Sequence, residues 1–231
     1  MLAAVSLRLA IFASGEGSTA QAVIDACAAG RIEGEVVLVL SNNEQAPVLA
    51  RAAAAAIPTR HLSRRTDPDA AALDAGQLEA VRAAGATHVL LAGYMRRLGP
   101  AILAAYEGRI LNTHPALLPA YGGHGMYGDR VHAAVLADGR ALTGATVHLV
   151  TAEYDAGPVV RAVEVPVLPG DDVAALGERV RAAERELVVD VLAELARGER
   201  GGRLRAVAAS PSRPPGTPPA GSSPPASAPR G

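Results

Sequence analysis

Residues 7–40 read LRLAIFASGEGSTAQAVIDACAAGRIEGEVVLVL, an apolar run, a glycine-punctuated turn, an alanine-rich stretch and a second apolar run rich in valine. Leu7–Ala13 and Glu35–Leu40 have the length and composition of buried strands, and Thr19–Ala29 between them that of a helix. A strand, a helix and another strand in this order form the unit of a parallel sheet, because parallel neighbours must be joined by a crossover.

Outward from this unit the alternation recurs. Further strands are expected at His88–Ala92 and Arg109–Asn112, followed by the pair Ala145–Val150 and Val159–Val167. Helices are expected at Pro47–Ala56, Ala70–Ala84, Pro100–Tyr106, Arg130–Ala137 and Val173–Arg197. The pattern predicts an α/β fold, a Rossmann-like, mostly parallel sheet flanked by helices on both faces. Ligands of such sheets bind beyond the carboxyl ends of the strands, so chemistry is sought there.

The chain has 231 residues, 49% hydrophobic and 19% charged, which fits one globular domain with an appendage. Residues 211–231 hold eight of the 17 prolines and no Leu, Ile, Val, Phe or Met. Such a segment has nothing to bury, so a folded domain over 1–200 and a Pro-rich disordered tail over 201–231 are expected. All 22 basic residues are arginine, which excludes imine chemistry on a lysine and a lysine-held phosphate. A net charge of -1 argues against a nucleic-acid surface, and no Trp with one Phe leaves no stacking platform for a single strand. Cys27 stands alone, so neither an internal disulfide nor a cysteine zinc site can form, and a reducing, cytoplasmic setting is expected. The apolar start reads as the first strand and not as a signal peptide, and no run reaches the ~18 apolar residues of a membrane span.

Four strand ends carry chemistry. After strand one, SGEGSTAQ (14–21) opens a helix, and its glycines leave amides free to hold a phosphate, although a plain turn would look the same. It also resembles a dinucleotide fingerprint, but Ser41-Asn42-Asn43 at the tip of strand two offers no acid for a ribose diol, which disfavours a nicotinamide. LLAGYMRRLGP (90–100) turns at Gly93, where a flat ligand could approach or where Tyr94 and Met95 could merely cover the sheet edge. ILNTHPALLPAYGGHGMYG (110–128) places Asn112 and His114 on one side of an extended chain, and Pro115 holds His114 extended. An amide donor beside an imidazole suits a developing oxyanion. Finally, TGATVHLVTAEYDAGPVV (143–160) sets Thr146, His148 and Val150 on one strand face and then turns through Asp155. Asp155 reads either as a turn cap or as a carboxylate available to a histidine and a water, and His148 reads as structural.

Taken together, these elements resemble the folate-dependent formyltransferases from about Leu7 to Arg197. Asn112-X-His114-Pro115 followed by ALLP, and later Asp155-X-Gly157-Pro158, is a specific combination. The resemblance implies that 1–200 is a formyltransferase catalytic domain whose late strands include an antiparallel pair. It implies transfer of a formyl group from 10-formyltetrahydrofolate to the amine of a glycinamide ribonucleotide in purine biosynthesis. Asn112, His114 and Asp155 would be catalytic, with Asp155 raising the His114 pKa; Gly17, Ser18, Thr19, Arg181 and Glu184 would hold the ribonucleotide. Met95, Arg96, Arg97, Leu98, Asn112, Thr151, Ala152, Glu153 and Tyr154 would hold the folate. The folate is a co-substrate, so neither a metal nor a tightly bound cofactor is implied. The partners are small molecules, without nucleic acid or membrane, and the protein is expected to be a monomer or homodimer.

Some residues depart from the family pattern. Glu16 stands in the phosphate loop and is expected to point outward, while Thr19 can still offer a hydroxyl. Ala70 replaces an arginine that some members turn towards the folate glutamate, a role Arg64 or Arg65 could take. His124 and His132 have no assigned role. A formyltetrahydrofolate deformylase would carry a regulatory domain ahead of strand one, and a tRNA formyltransferase a barrel domain and a basic surface. A non-catalytic nucleotide-binding module would leave Asn112, His114 and Asp155 unexplained.

Overall fold

The computed structural model describes residues 7–198; the expected tail over 201–231 lies outside the described residues. The element order is β1 (Leu7–Phe12), α1 (Ser18–Ala28), β2 (Gly34–Ser41), α2 (Pro47–Ala54), β3 (Thr59–His61), α3 (Ala70–Ala83), β4 (His88–Leu91), α4 (Pro100–Ala105), β5 (Ile110–His114), α5 (Asp129–Ala137), β6 (Leu142–Leu149), β7 (Val159–Pro166) and α6 (Val173–Ala196). They form one seven-stranded sheet in the order β3-β2-β1-β4-β5-β6-β7. The first five strands run parallel, and β5–β6 and β6–β7 are antiparallel pairs.

Alternation along β1 explains why its run is apolar apart from Arg8 near its start. Leu7, Leu9 and Ile11 face a core that also takes up Val23 of α1, Val48 of α2, Val131 of α5 and Leu192 of α6. Ala10 and Phe12 face the opposite core, with Val81 of α3 and Ile102 of α4. A strand buried on both faces has no polar side to show.

β3 was not expected from the sequence. It has only Thr59, Arg60 and His61, none fully buried, and it owes its strand state to pairing with β2 at the sheet edge. β5 runs two residues further than the sequence suggests, so His114 lies within the strand and pairs with Thr146.

β1 lies between β2 and β4, so the strand order reverses beside it and its carboxyl end opens a crevice. Two contacts tie the loops there: Ser14 N donates to Gly93 O (3.1 Å), and Met95 N donates to Ser14 Oγ (2.8 Å). Beyond the β4 loop, Asp74 of α3 caps α4, accepting from Ala101 N (2.7 Å) and Ile102 N (3.1 Å). Gly99 is required there, because a Cβ would stand 2.2 Å from Asp74 Cγ.

Candidate active site

Asn112 and His114 project from the same side of β5, and His148 on β6 lies directly across from Asn112. Asp155 reaches the two histidines from the β6–β7 turn, its own backbone at φ 53. That turn is pressed onto β6 at Gly157, where a Cβ would meet Leu149 O at 1.8 Å. His114 Nδ1 is 3.6 Å from Asp155 Oδ2, and His148 Nε2 is 3.6 Å from Asp155 Oδ1. Gly123 N donates to Asp155 Oδ2 at 2.9 Å, which ties the β5–α5 loop to the same carboxylate.

The remaining hydrogen bonds fix which atoms are free. His114 Nε2 lies 2.7 Å from Tyr121 O, a partner that can only accept, so the Nε2 proton is committed and Nδ1 faces Asp155. His148 Nδ1 is likewise committed to Leu149 O at 2.9 Å, leaving Nε2 to accept from Asn112 Nδ2 at 3.0 Å. One amide hydrogen of Asn112 is thereby anchored and the other remains available. His148, read from the sequence as structural, therefore orients Asn112. Thr146 braces the loop after His114, donating to Ala116 O (2.7 Å) and accepting from Leu118 N (3.1 Å).

Electrostatics qualifies one expectation. Burial pushes the His114 imidazole below its ordinary value; Asp155 and the Tyr121 carbonyl pull it back up, but burial wins. Asp155 thus raises His114 as one contribution and does not set the net direction. Burial also acts to raise the Asp155 carboxyl, yet contact with His148, the Gly123 amide and the charge of His114 together hold it below the ordinary carboxylate value.

The turn after β1 opens α1 at a glycine. Gly17 caps α1 at φ 72, and a Cβ there would strike Val48 Cγ2 at 2.3 Å. The first amides of α1, from Ser18 and Thr19 on, point out of the helix end. Glu16 does point outward: its side chain is 77% exposed, 4.0 Å from Arg51 Nη2, and Arg51 Nε donates to Glu16 O at 2.9 Å. The Thr19 hydroxyl differs from expectation. It donates to Glu184 Oε1 (3.1 Å) and is not free for a phosphate, because Glu184 is buried beside it and takes up donors. Thr113, passed over in the sequence, donates to the same oxygen at 2.9 Å. Burial pushes the Glu184 carboxyl up, against these two hydroxyls and the charges of Arg185 and Arg181. Arg181 lies one helical turn away, 3.3 Å from Glu178 and 3.8 Å from Asp129.

A cleft of about 70 Å³ joins Arg96, Arg97 and Leu98 to Asn112, His148 and residues 151–155. Leu91, Tyr94, Leu103 and Val150 supply its apolar wall, which the sequence reading had not gathered. Met95 does not line it; its side chain is half exposed while its amide holds Ser14. Arg97 donates to Ala152 O and lies 5.1 Å over the Tyr154 ring, on whose edge His124 packs. A larger cavity of about 360 Å³ shares Tyr94 and residues 96–98 with the cleft and adds Arg64, Arg65 and Ala70. His132 is buried under α6 with Nδ1 unpartnered. Among the described residues no group of three or more His, Cys, Asp or Glu could hold a metal ion, and no helix is long and apolar enough to cross a membrane.

The family model described as "Formyl transferase" matches residues 7–192. The chain is 43% identical over 194 residues to a phosphoribosylglycinamide formyltransferase of Mycobacterium tuberculosis, covering 82% of this chain and 85% of that one. It is 37% identical over 186 residues to a chloroplastic phosphoribosylglycinamide formyltransferase of Arabidopsis thaliana, covering 80% of this chain and 64% of that longer one. Among solved structures, glycinamide ribonucleotide transformylase 1 of Symbiobacterium toebii superposes with a TM-score of 0.78 at 38% identity, over 84% of this chain and 89% of that one.

Proposed function

The chain belongs to the formyl transferase family, and from that premise we propose that it moves a formyl group from 10-formyltetrahydrofolate to the amine of N1-(5-phosphoribosyl)glycinamide, a step of purine biosynthesis. The observation that carries this reading is that Asn112 and Asp155 line the cleft bordered by Arg96–Leu98, with His114 Nδ1 3.6 Å from Asp155 Oδ2. The ribonucleotide phosphate sits on the amides of Gly17, Ser18 and Thr19, and its ribose lies against Glu184 and Arg181. The pterin occupies the cleft between residues 96–98 and 151–154, and Arg64, Arg65 and Arg96 in the adjoining cavity hold the folate glutamate. The folate arrives and leaves as a substrate. The setting is the cytoplasm, and the working unit is a monomer or homodimer.

In the reaction the neutral amine forms a bond to the formyl carbon, and the carbonyl π pair moves onto oxygen. The free Asn112 amide hydrogen and a protonated Nδ1 of His114 donate to that oxyanion. Asp155, too far from either histidine for a direct hydrogen bond at 3.6 Å, stabilises the imidazolium by charge. Through one water it relays the surplus amine proton to N10 of the folate. The carbonyl re-forms as the carbon–N10 bond breaks, and tetrahydrofolate leaves.

Purified protein incubated with both substrates releases tetrahydrofolate only when the ribonucleotide amine is present. Equal release without the amine would identify a deformylase instead, and no release would leave a binding module.

A further inference from the structure

Alternation along β5 turns Thr113 away from Asn112 and His114, towards α6. There a single carboxylate oxygen, Oε1 of Glu184, accepts from Thr113 at 2.9 Å and from Thr19 at 3.1 Å. One buried side chain thus joins the strand that presents the oxyanion donors, the first turn of the phosphate-binding helix α1, and α6. Oε1 is saturated by the two hydroxyls. Oε2 has no hydrogen-bond partner among the described residues, and Glu184 keeps 9% of its surface exposed. The carboxylate therefore retains one acceptor with a fixed direction, beside the loop assigned to the phosphate.

Resting on the reading that Glu184 meets the ribose, we propose that Thr113 and Thr19 are positioning residues: they grip Oε1 so that Oε2 is aimed at a ribose hydroxyl. This clamp selects a hydroxylated sugar over a deoxy one. The physical reason is asymmetric. A buried acceptor satisfied by a substrate hydroxyl contributes modestly, but the same acceptor left unpaired by a deoxy sugar carries a desolvation cost. That selection requires a carboxylate that cannot swing to another partner, and two β-branched hydroxyl side chains from different elements supply the restraint.

The test compares glycinamide ribonucleotide with its 2′-deoxy and 3′-deoxy counterparts in the wild type, Thr113→Val, Thr19→Val and Thr113→Ser, with the KM for 10-formyltetrahydrofolate as internal reference. In the wild type at least one deoxy substrate loses about tenfold in kcat/KM, the worth of one hydrogen bond to a charged acceptor. In Thr113→Val the ribonucleotide KM rises by about tenfold and the deoxy penalty shrinks to within about threefold, while Thr113→Ser restores both. A Thr113→Val enzyme with unchanged ribonucleotide KM, or one that keeps the full deoxy penalty, overturns the clamp. So does a failure of Thr113→Ser to restore the penalty. If Thr113→Val gives no cooperative thermal melt, Thr19→Val carries the same comparison. A wild type that formylates no ribonucleotide at all refutes the functional reading, a result distinct from each of these.

Discussion

Replacing Asp155 by Asn removes a charge while keeping the shape of the side chain, and the amide oxygen can still accept from Gly123 N, which lies 2.9 Å from Oδ2 in the native turn. The native carboxylate stands 3.6 Å from His114 Nδ1. At that separation and an effective dielectric of roughly 20, the attraction for an imidazolium is about 4–5 kcal/mol. His114 is already held below its ordinary value by burial, so the lost attraction is not replaced by solvent. Without it the imidazolium is less populated, and kcat should fall by about a hundredfold to ten-thousandfold, the range known for a single acid–base group. The assay is the initial rate of 10-formyltetrahydrofolate consumption, followed by absorbance with both substrates saturating, beside a thermal melt of each protein. The sign of the pH dependence gives a second check. Removing the anion lowers the His114 pKa but leaves that of the substrate amine at about 8; between the two, the gain in imidazolium cancels the loss of neutral amine, so the variant's rate plateau should extend to lower pH than the wild type's. A folded variant that loses less than about tenfold in kcat, or whose acid limb does not move to lower pH, would show that Asp155 does not act by stabilising an imidazolium.

Two further outcomes are expected. Gly17→Ala forces a Cβ to 2.3 Å from Val48 Cγ2 at a φ of 72, which must displace the amides of the first helical turn; the KM for the ribonucleotide should rise by about tenfold or more, and an unchanged KM would remove the turn from the phosphate site. His88 is pushed down to about 4 by burial and by Arg109, so the folded protein refuses a proton that the unfolded chain accepts below about 6.5. Stability is therefore lost as pH falls from about 6.5 to about 4, by up to about 3 kcal/mol, and His88→Gln should flatten that part of the urea-midpoint curve; parallel curves for the two proteins would contradict this.

The parallel sheet was legible because its strands are buried on both faces and its glycines punctuate the turns, signals that live in single segments. β3 was not, because three polar residues at an edge are strand only by virtue of β2. The same division runs through the site. Asn112, His114 and Asp155 announce themselves by residue type, turn chemistry and spacing. The anchoring of Asn112 by His148 depends on a cross-strand register that no local pattern encodes, although the alternation of Thr146, His148 and Val150 pointed to the right face. Thr113 was invisible for a similar reason: its partner lies 71 positions away on α6, and a threonine between two conspicuous residues reads as a spacer. The Thr19 hydroxyl was misassigned because the loop motif says nothing of the buried carboxylate beside it. For His114, the charge of Asp155 could be inferred from the sequence, but the opposing weight of burial could not.

The arginine-lined cavities bear on the chemical safety of the reagent they would hold. An activated formyl carbon can be captured by any neutral primary amine within reach, and a lysine lowered in pKa by a pocket of this kind would be such a trap. The chain has no lysine, and every permanently cationic side chain in it is a guanidinium, including Arg64, Arg65, Arg96 and Arg97. A guanidinium stays protonated at any physiological pH and has no lone pair to offer. The walls can therefore attract an anionic donor without competing for its cargo, so the enzyme should not inactivate itself by side-chain formylation, however long the loaded donor waits for its acceptor.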